Sequence, residues 1–199
     1  MLCYEIDMTE ITEQYAYMRA CSDDQLHAIS LVDNGWRNRN YLYLAQAASV
    51  VGRLEPLVME FPELKLLDYD YLLSGLIEIV SERLMNVLQE QTVLEFFRIV
   101  GRHKGQPYIN HRFFLMHCTI KIPALDRHRS VYTEYSEAAG GGIKSVQKIV
   151  LDEQLVGNRE LFLLTDPGIY CISNRLVSKL RGQELKGVEF VPLAEYSDF

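Results

Sequence analysis

IVSERLMNVL, residues 79–88, returns in altered form as CISNRLVSKL, residues 171–180. Ser81 aligns with Ser173, Arg83 with Arg175, Leu84 with Leu176 and Leu88 with Leu180. A serine hydroxyl satisfies backbone N–H groups left open at the start of a helix, and leucines four residues apart share one helix face. Each copy then passes through a polar turn into Glu-Phe, at Glu95-Phe96 and again at Glu189-Phe190. The pattern predicts a strand, a Ser-started helix, a loop and a second strand, made twice. Neither copy holds a nucleophile, a set of metal ligands or a phosphate loop, so the repeat speaks of architecture rather than chemistry. The fold expected from it is α+β, a mixed sheet with helices containing an internally duplicated strand-helix-strand unit.

At 199 residues, 48% hydrophobic and 24% charged, the chain can bury a substantial core and has neither the polarity of a disordered chain nor an apolar run that would span a bilayer. The opening MLCYEIDMTE has no basic segment ahead of an apolar one, so no secretory signal and a cytoplasmic location are expected. Cys3, Cys21, Cys118 and Cys171 are scattered without a C-x-x-C pair, which predicts buried reduced thiols over disulfides or zinc.

The net charge of -7 is uneven: residues 1–75 hold 12 Asp+Glu against 5 Lys+Arg, and the rest balances. An acidic N-terminal region, residues 1–75, and a region with the repeat, residues 76–199, are expected to form one compact domain. Within the balanced part, Arg98, Arg102, Lys104, Arg112, Lys121, Arg127 and Arg129 face only Asp126 in the local sequence. These cations are expected to meet either an anion or the acidic N-terminal region.

Leu2, Tyr4 and Ile6 alternate as in a strand. Residues 9–28 predict helix or irregular chain, DNGWRNRN (33–40) a turn-rich loop carrying the only Trp, and residues 41–51 a helix or strand. Leu57–Phe61, between prolines, predicts a short strand; RFFLMHCTIKI (112–122) predicts a buried one ending at Pro123. Ile143–Leu151 predicts a strand or short helix. ELFLLT and IYCIS flank Asp166-Pro167-Gly168, a hairpin turn in which Pro fixes one torsion and Gly supplies the left-handed position.

Candidate chemistry thins on inspection. His111 and His117 would share a strand face roughly 20 Å apart, too far for one metal ion. His103 and His128 lie in polar flanks. In GGGIKS, Ile143 separates Gly142 from Lys144, so the Gly-Lys-Ser/Thr of a phosphate loop is missing. Tyr108, Phe113 and Phe114 interleave with the basic stretch, but they accompany the most apolar strand, and an acidic chain opposes steering to phosphate. No metal, cofactor, nucleic acid or membrane is expected as a partner.

IVSERLMNVL, the following Glu-Phe strand, the strand closing on IPALDRHRS, the run ELFLLTDPGIYCISNRLVSKL and the ending GVEFVPL together resemble an immunity-protein family of bacterial polymorphic toxin systems, first catalogued as an uncharacterised conserved domain. The likeness covers residues 76–193, and the first 75 residues match poorly. The resemblance implies a protein made beside a secreted antibacterial toxin, which it binds and neutralises without catalytic residues. An effector adaptor or chaperone, and an enzyme using the Asp68/Asp70 or His103/His128 regions, are the alternatives. For the toxin-binding reading, a basic toxin domain is the expected partner. Trp36 with Asp68, Asp70 and Tyr71 forms the first expected contact cluster, and Glu134, Tyr135 and Glu137 the second.

Overall fold

The computed structural model describes residues 10–21, 29–33, 35–75, 77–107 and 112–196; the strand expected in residues 1–8, Cys3 and His111 lie outside this set. Helix α1 (Glu10–Glu13) leads into β1 (Tyr15–Ala20), followed by β2 (Ser30–Leu31), α2 (Trp36–Leu44) and β3 (Val58–Glu60). The hairpin β4 (Tyr71–Ser74) and β5 (Ile77–Ser81) runs into α3 (Glu82–Leu88) and β6 (Leu94–Arg98). Strands β7 (Val100–His103), β8 (Gln106–Pro107), β9 (Phe113–Cys118) and β10 (Lys121–Ile122) come next. The hairpin β11 (Val131–Glu134) and β12 (Ile143–Lys148) precedes α4 (Glu153–Val156). The hairpin β13 (Leu161–Leu164) and β14 (Ile169–Ser173), α5 (Asn174–Arg181) and β15 (Val188–Pro192) close the chain. Short helices and mostly antiparallel sheets make this an α+β fold.

The chain forms two compact units, one from Met1–Met18, Lys121–Ser178 and Phe190–Phe199, the other from Arg19–Ile120 and Lys179–Glu189. Residue 75, where the charge balance changes, falls in the β4–β5 turn, within the second unit. Unit one carries nearly all of the net negative charge.

In unit two, β4, β5, β9 and β6 form an antiparallel sheet in that order. Ile77, Ile79 and Leu115 bury on one face with Trp36, Met59 and Phe61, and the rings of Phe61 and Phe113 lie 4.9 Å apart. Helix α3 packs against β5 and β9, burying the expected stripe of Leu84 and Leu88. A second sheet of order β2-β3-β7-β8 pairs β3 with β7 in parallel. The segment expected as a turn-rich loop instead starts α2 at Trp36. Composition misleads there because tertiary bonds hold the helix: Trp36 Nε1 donates to Glu55 O at 3.0 Å, while Asn40 bonds both Trp36 O and the Glu55 amide.

In unit one lies most of a five-stranded sheet of order β10-β13-β14-β1-β15. Strand β1 corrects the helical or irregular expectation for residues 9–28: Tyr15, Ala16, Tyr17 and Met18 are all buried, so both faces are covered and no alternation marks the strand. Tyr15 packs edge-on to Phe162, and its hydroxyl donates to Arg159 O at 2.5 Å. The expected β13–β14 hairpin is present, with Gly168 at φ +86. Strand β9 ends at Cys118, earlier than expected, and Ile122 belongs to β10.

One sheet of unit two has the order β4-β5-β9-β6, and four strands of the five-stranded sheet have the order β13-β14-β1-β15. Each is a hairpin, then a strand from elsewhere in the chain, then the strand that follows the Ser-started helix. The inserted strand is β9 in one and β1 in the other.

Candidate partner-binding surface

Asp70 sits just ahead of β4, and its carboxylate is the most heavily bonded in the described chain. Its Oδ1 accepts from Ser81 Oγ at 2.5 Å and from Arg83 Nε at 3.0 Å, and its Oδ2 from the Lys186 amide at 2.7 Å and from Arg83 Nη2. Burial works to raise its pKa, but Arg83, the Lys186 amide and the Ser81 hydroxyl together hold it below the ordinary carboxylate value. Lys186 and Gly187 approach closely because Gly187 has φ +78 and no side chain; a Cβ there would meet Tyr69 Cδ1 at 2.5 Å. A carboxylate so occupied is a brace, with no lone pair directed at a substrate. Glu160, Ser173 and Arg175 make a looser version: Arg175 Nε lies 2.8 Å from Glu160 Oε1, and Ser173 Oγ accepts the Leu176 amide at 3.3 Å.

The first expected contact cluster is therefore mostly interior. Trp36 is 2% exposed, and Asp70 and Tyr71 are as deeply buried. Burial, and after it the bonded Glu78 carboxylate, pushes the Tyr71 phenol well above its usual pKa. Side chains this enclosed present little surface to a partner. Asp68, at the end of the 3-10 turn Leu64–Asp68, is exposed and stands apart from the bonding around Asp70.

The second cluster lies on the β11–β12 hairpin, a two-stranded arm in which, among the described residues, only Val146 is buried. Glu134, Tyr135 and Glu137 are all exposed, Tyr135 by 49%, and Val131 is open beside them. Gly140, Gly141 and Gly142, all with positive φ, turn the arm at its tip. Glu134 is 3.6 Å from Arg127. The arm belongs to the acidic unit and presents, between two carboxylates, an aromatic ring of the kind enriched at protein interfaces.

Part of the acidic charge of the first 75 residues is paired with a cation of the same region. Arg39 lies between Asp33 at 2.5 Å and Glu55 at 2.7 Å, and those hydrogen bonds lower both carboxylate pKa values. Three cations of the basic stretch pair outside that region: Arg112 with Glu82, Arg127 with Glu134 and Arg129 with Asp126. Cys118 and Cys171 are buried free thiols, whereas Cys21 is exposed, contrary to expectation. His117 is buried, its Nε2 3.0 Å from Ala48 O, and His103 Nδ1 lies 2.7 Å from Phe61 O. Among the described residues no group of three or more His, Cys, Asp or Glu is placed to hold a metal ion, and no helix is long and apolar enough to cross a membrane.

Sequence reading missed the exposed apolar side chains of unit two, chiefly Leu42 and Val51, at 70% and 68% exposure. Helix α2 buries Trp36 and Asn40 on one face but does not segregate polar from apolar residues, so no periodic signal separates Leu42 from the core.

Comparison with known families gives one finding. The model of the immunity protein family Imm11 matches residues 32–195, reaching well into the N-terminal part that was expected to match poorly. No curated protein matches the chain.

Proposed function

Because the chain belongs to the Imm11 immunity protein family, a family of toxin immunity proteins, we propose that it binds a cognate toxin domain and neutralises it by stoichiometric protein–protein contact. The family match over residues 32–195 is the observation that carries this reading. The bonding of the polar interior agrees with it. Asp70, Ser81 and Arg83 are engaged with one another and with the Lys186 amide, and His117 with Ala48 O, so the conspicuous titratable groups brace the fold.

Toxin contact is proposed at Glu134, Tyr135 and Glu137 of the arm and, separately, at Asp68 of the other unit, with a basic toxin domain as the partner. Carboxylates on the rim of an interface accelerate encounter with a positive surface, and an aromatic ring between them supplies area that desolvates on docking. The test is titration of the purified toxin domain with this protein, read by calorimetry and by the toxin's own activity. A complex of one chain to one toxin, with activity lost in proportion, is expected. Full toxin activity in the presence of excess folded protein overturns the proposal.

A further inference from the structure

Among the described residues the β11–β12 hairpin is a two-stranded sheet of its own, so each strand has a neighbour on one side only. Its two outer edges are unlike. The register runs Val131↔Lys148, Tyr132↔Val146, Thr133↔Ser145 and Glu134↔Ile143. Between Val131 and Tyr132, and again between Thr133 and Glu134, a single step along β11 is matched by a double one along β12, and the extra residues are Gln147 and Lys144. Bulges bend and twist a strand, and lysines on an edge discourage a further strand from pairing there. Both safeguards fall on β12, which carries Lys144 and Lys148, each exposed. Strand β11 has no bulge of its own and no lysine.

The backbone of β11 presents a regular edge. The Tyr135 amide donates to Gly142 O at 2.9 Å, so Tyr135 turns its backbone groups towards β12. Those groups alternate from side to side along a strand. Val131 and Thr133 therefore face β12 as well, while Tyr132 and Glu134 direct both N–H and C=O away from it. No described strand pairs with that side. The charge of the edge says which strand would fit. Glu134 and Glu137 are exposed, and a second copy laid on the same edge would bring like charges together. Arg127 Nη1 lies 3.6 Å from Glu134 Oε1, with both side chains about half exposed. An ion pair so open to water is worth little, and a partner's cation can take its place.

We propose that the outer edge of β11 is where the toxin docks by strand addition. An extended, Lys- or Arg-bearing segment of the toxin pairs through main-chain hydrogen bonds with Tyr132 and Glu134, making a third strand of the hairpin's sheet. The inference rests on the toxin-binding reading and adds its mode. Main-chain bonds supply affinity that is indifferent to the toxin's side chains, and Glu134 with Glu137 selects the charge of the segment that enters.

The test is amide hydrogen exchange, read residue by residue in the full-length protein alone and with the purified toxin domain. Alone, Tyr132 and Glu134 are expected to exchange fast, and Thr133 and Tyr135 slowly. With the toxin at about 100 times its Kd, Tyr132 and Glu134 should slow by about 100-fold. Binding that leaves both amides fast overturns strand addition and leaves the toxin-binding reading standing, whereas no binding overturns both. Slow exchange of the two amides in the protein alone, strengthening with its concentration, gives the edge to a second copy and also overturns the proposal. Tyr132→Pro removes one outward N–H and none that closes the hairpin, so it should bind the toxin about tenfold more weakly than Tyr132→Ala. Equal affinities of the two folded variants contradict the proposal, and the exchange measurement decides alone if the proline variant does not fold.

Discussion

Ser81 Oγ donates to Asp70 Oδ1 at 2.5 Å while accepting the Leu84 amide at 3.1 Å. One hydroxyl proton and a lone pair are both used, so the acid orients the residue that caps α3. At the second helix, Ser173 accepts the Leu176 amide at 3.3 Å, and Glu160 engages Arg175 instead. Loss of a serine cap costs about 1 kcal/mol. Ser173→Ala should therefore cost about 1 kcal/mol in urea unfolding, and Ser81→Ala about 2 kcal/mol, because a bond to a buried carboxylate goes with it. Equal losses would contradict the braced cap.

Asp70→Asn keeps the shape of the side chain and removes the charge that faces Arg83. A broken buried pair costs roughly 3–5 kcal/mol, and the half-exposed Arg83 can regain water, so a loss of about 2 kcal/mol is expected. The pH dependence has a definite sign. The folded-state pKa of Asp70 is depressed, so its contribution is complete above its unfolded value of about 4 and is lost as pH falls through the lower folded value. Unfolding midpoints measured below about pH 4 should fall more gently with acid in Asp70→Asn than in the parent. Parallel acid profiles would show that Asp70 is not the group responsible.

Local chemistry made part of this fold legible in the sequence. The Ser-started helices, the strand at Phe113 and the turn at Gly168 each rest on neighbours within a few residues. Strand β1 was hidden because burial on both faces erases the alternation that marks a half-exposed strand. Helix α2 was hidden because Trp36 and Asn40 fix it through Glu55, 19 residues on for Trp36. The Asp70 brace was least visible of all, since its amide donor at Lys186 lies 116 residues away. Trp36 and Tyr71 looked like contact residues for the same reason: an aromatic in a polar sequence is read as exposed when its cover comes from distant chain.

Trp36→Ala should cost about 3–5 kcal/mol of stability, the usual loss for a large aromatic removed from a packed core. Tyr135→Ala, on the exposed arm, should leave stability within about 0.5 kcal/mol of the parent. Thermal unfolding of the two variants side by side checks this. A mild Trp36→Ala would return that ring to the list of surface contacts.

Glu134→Lys with Glu137→Lys should slow association with a basic toxin domain and reduce the dependence of the rate on salt. Tyr135→Ala should act chiefly on dissociation, in the manner of an aromatic anchor. Surface-resonance kinetics at two salt concentrations separate the effects. Unchanged rates in all three substitutions, with the fold intact, would move the toxin contact off the β11–β12 arm.

The central claim is protection from a toxin by binding it. The most direct measurement is survival of cells that express the toxin encoded beside this chain, with the chain supplied, withheld, or supplied as a folded variant carrying the arm substitutions. Full survival only with the parent chain, in step with a one-to-one complex isolated from the same cells, is the predicted result. Equal killing with and without the folded parent protein would contradict the account.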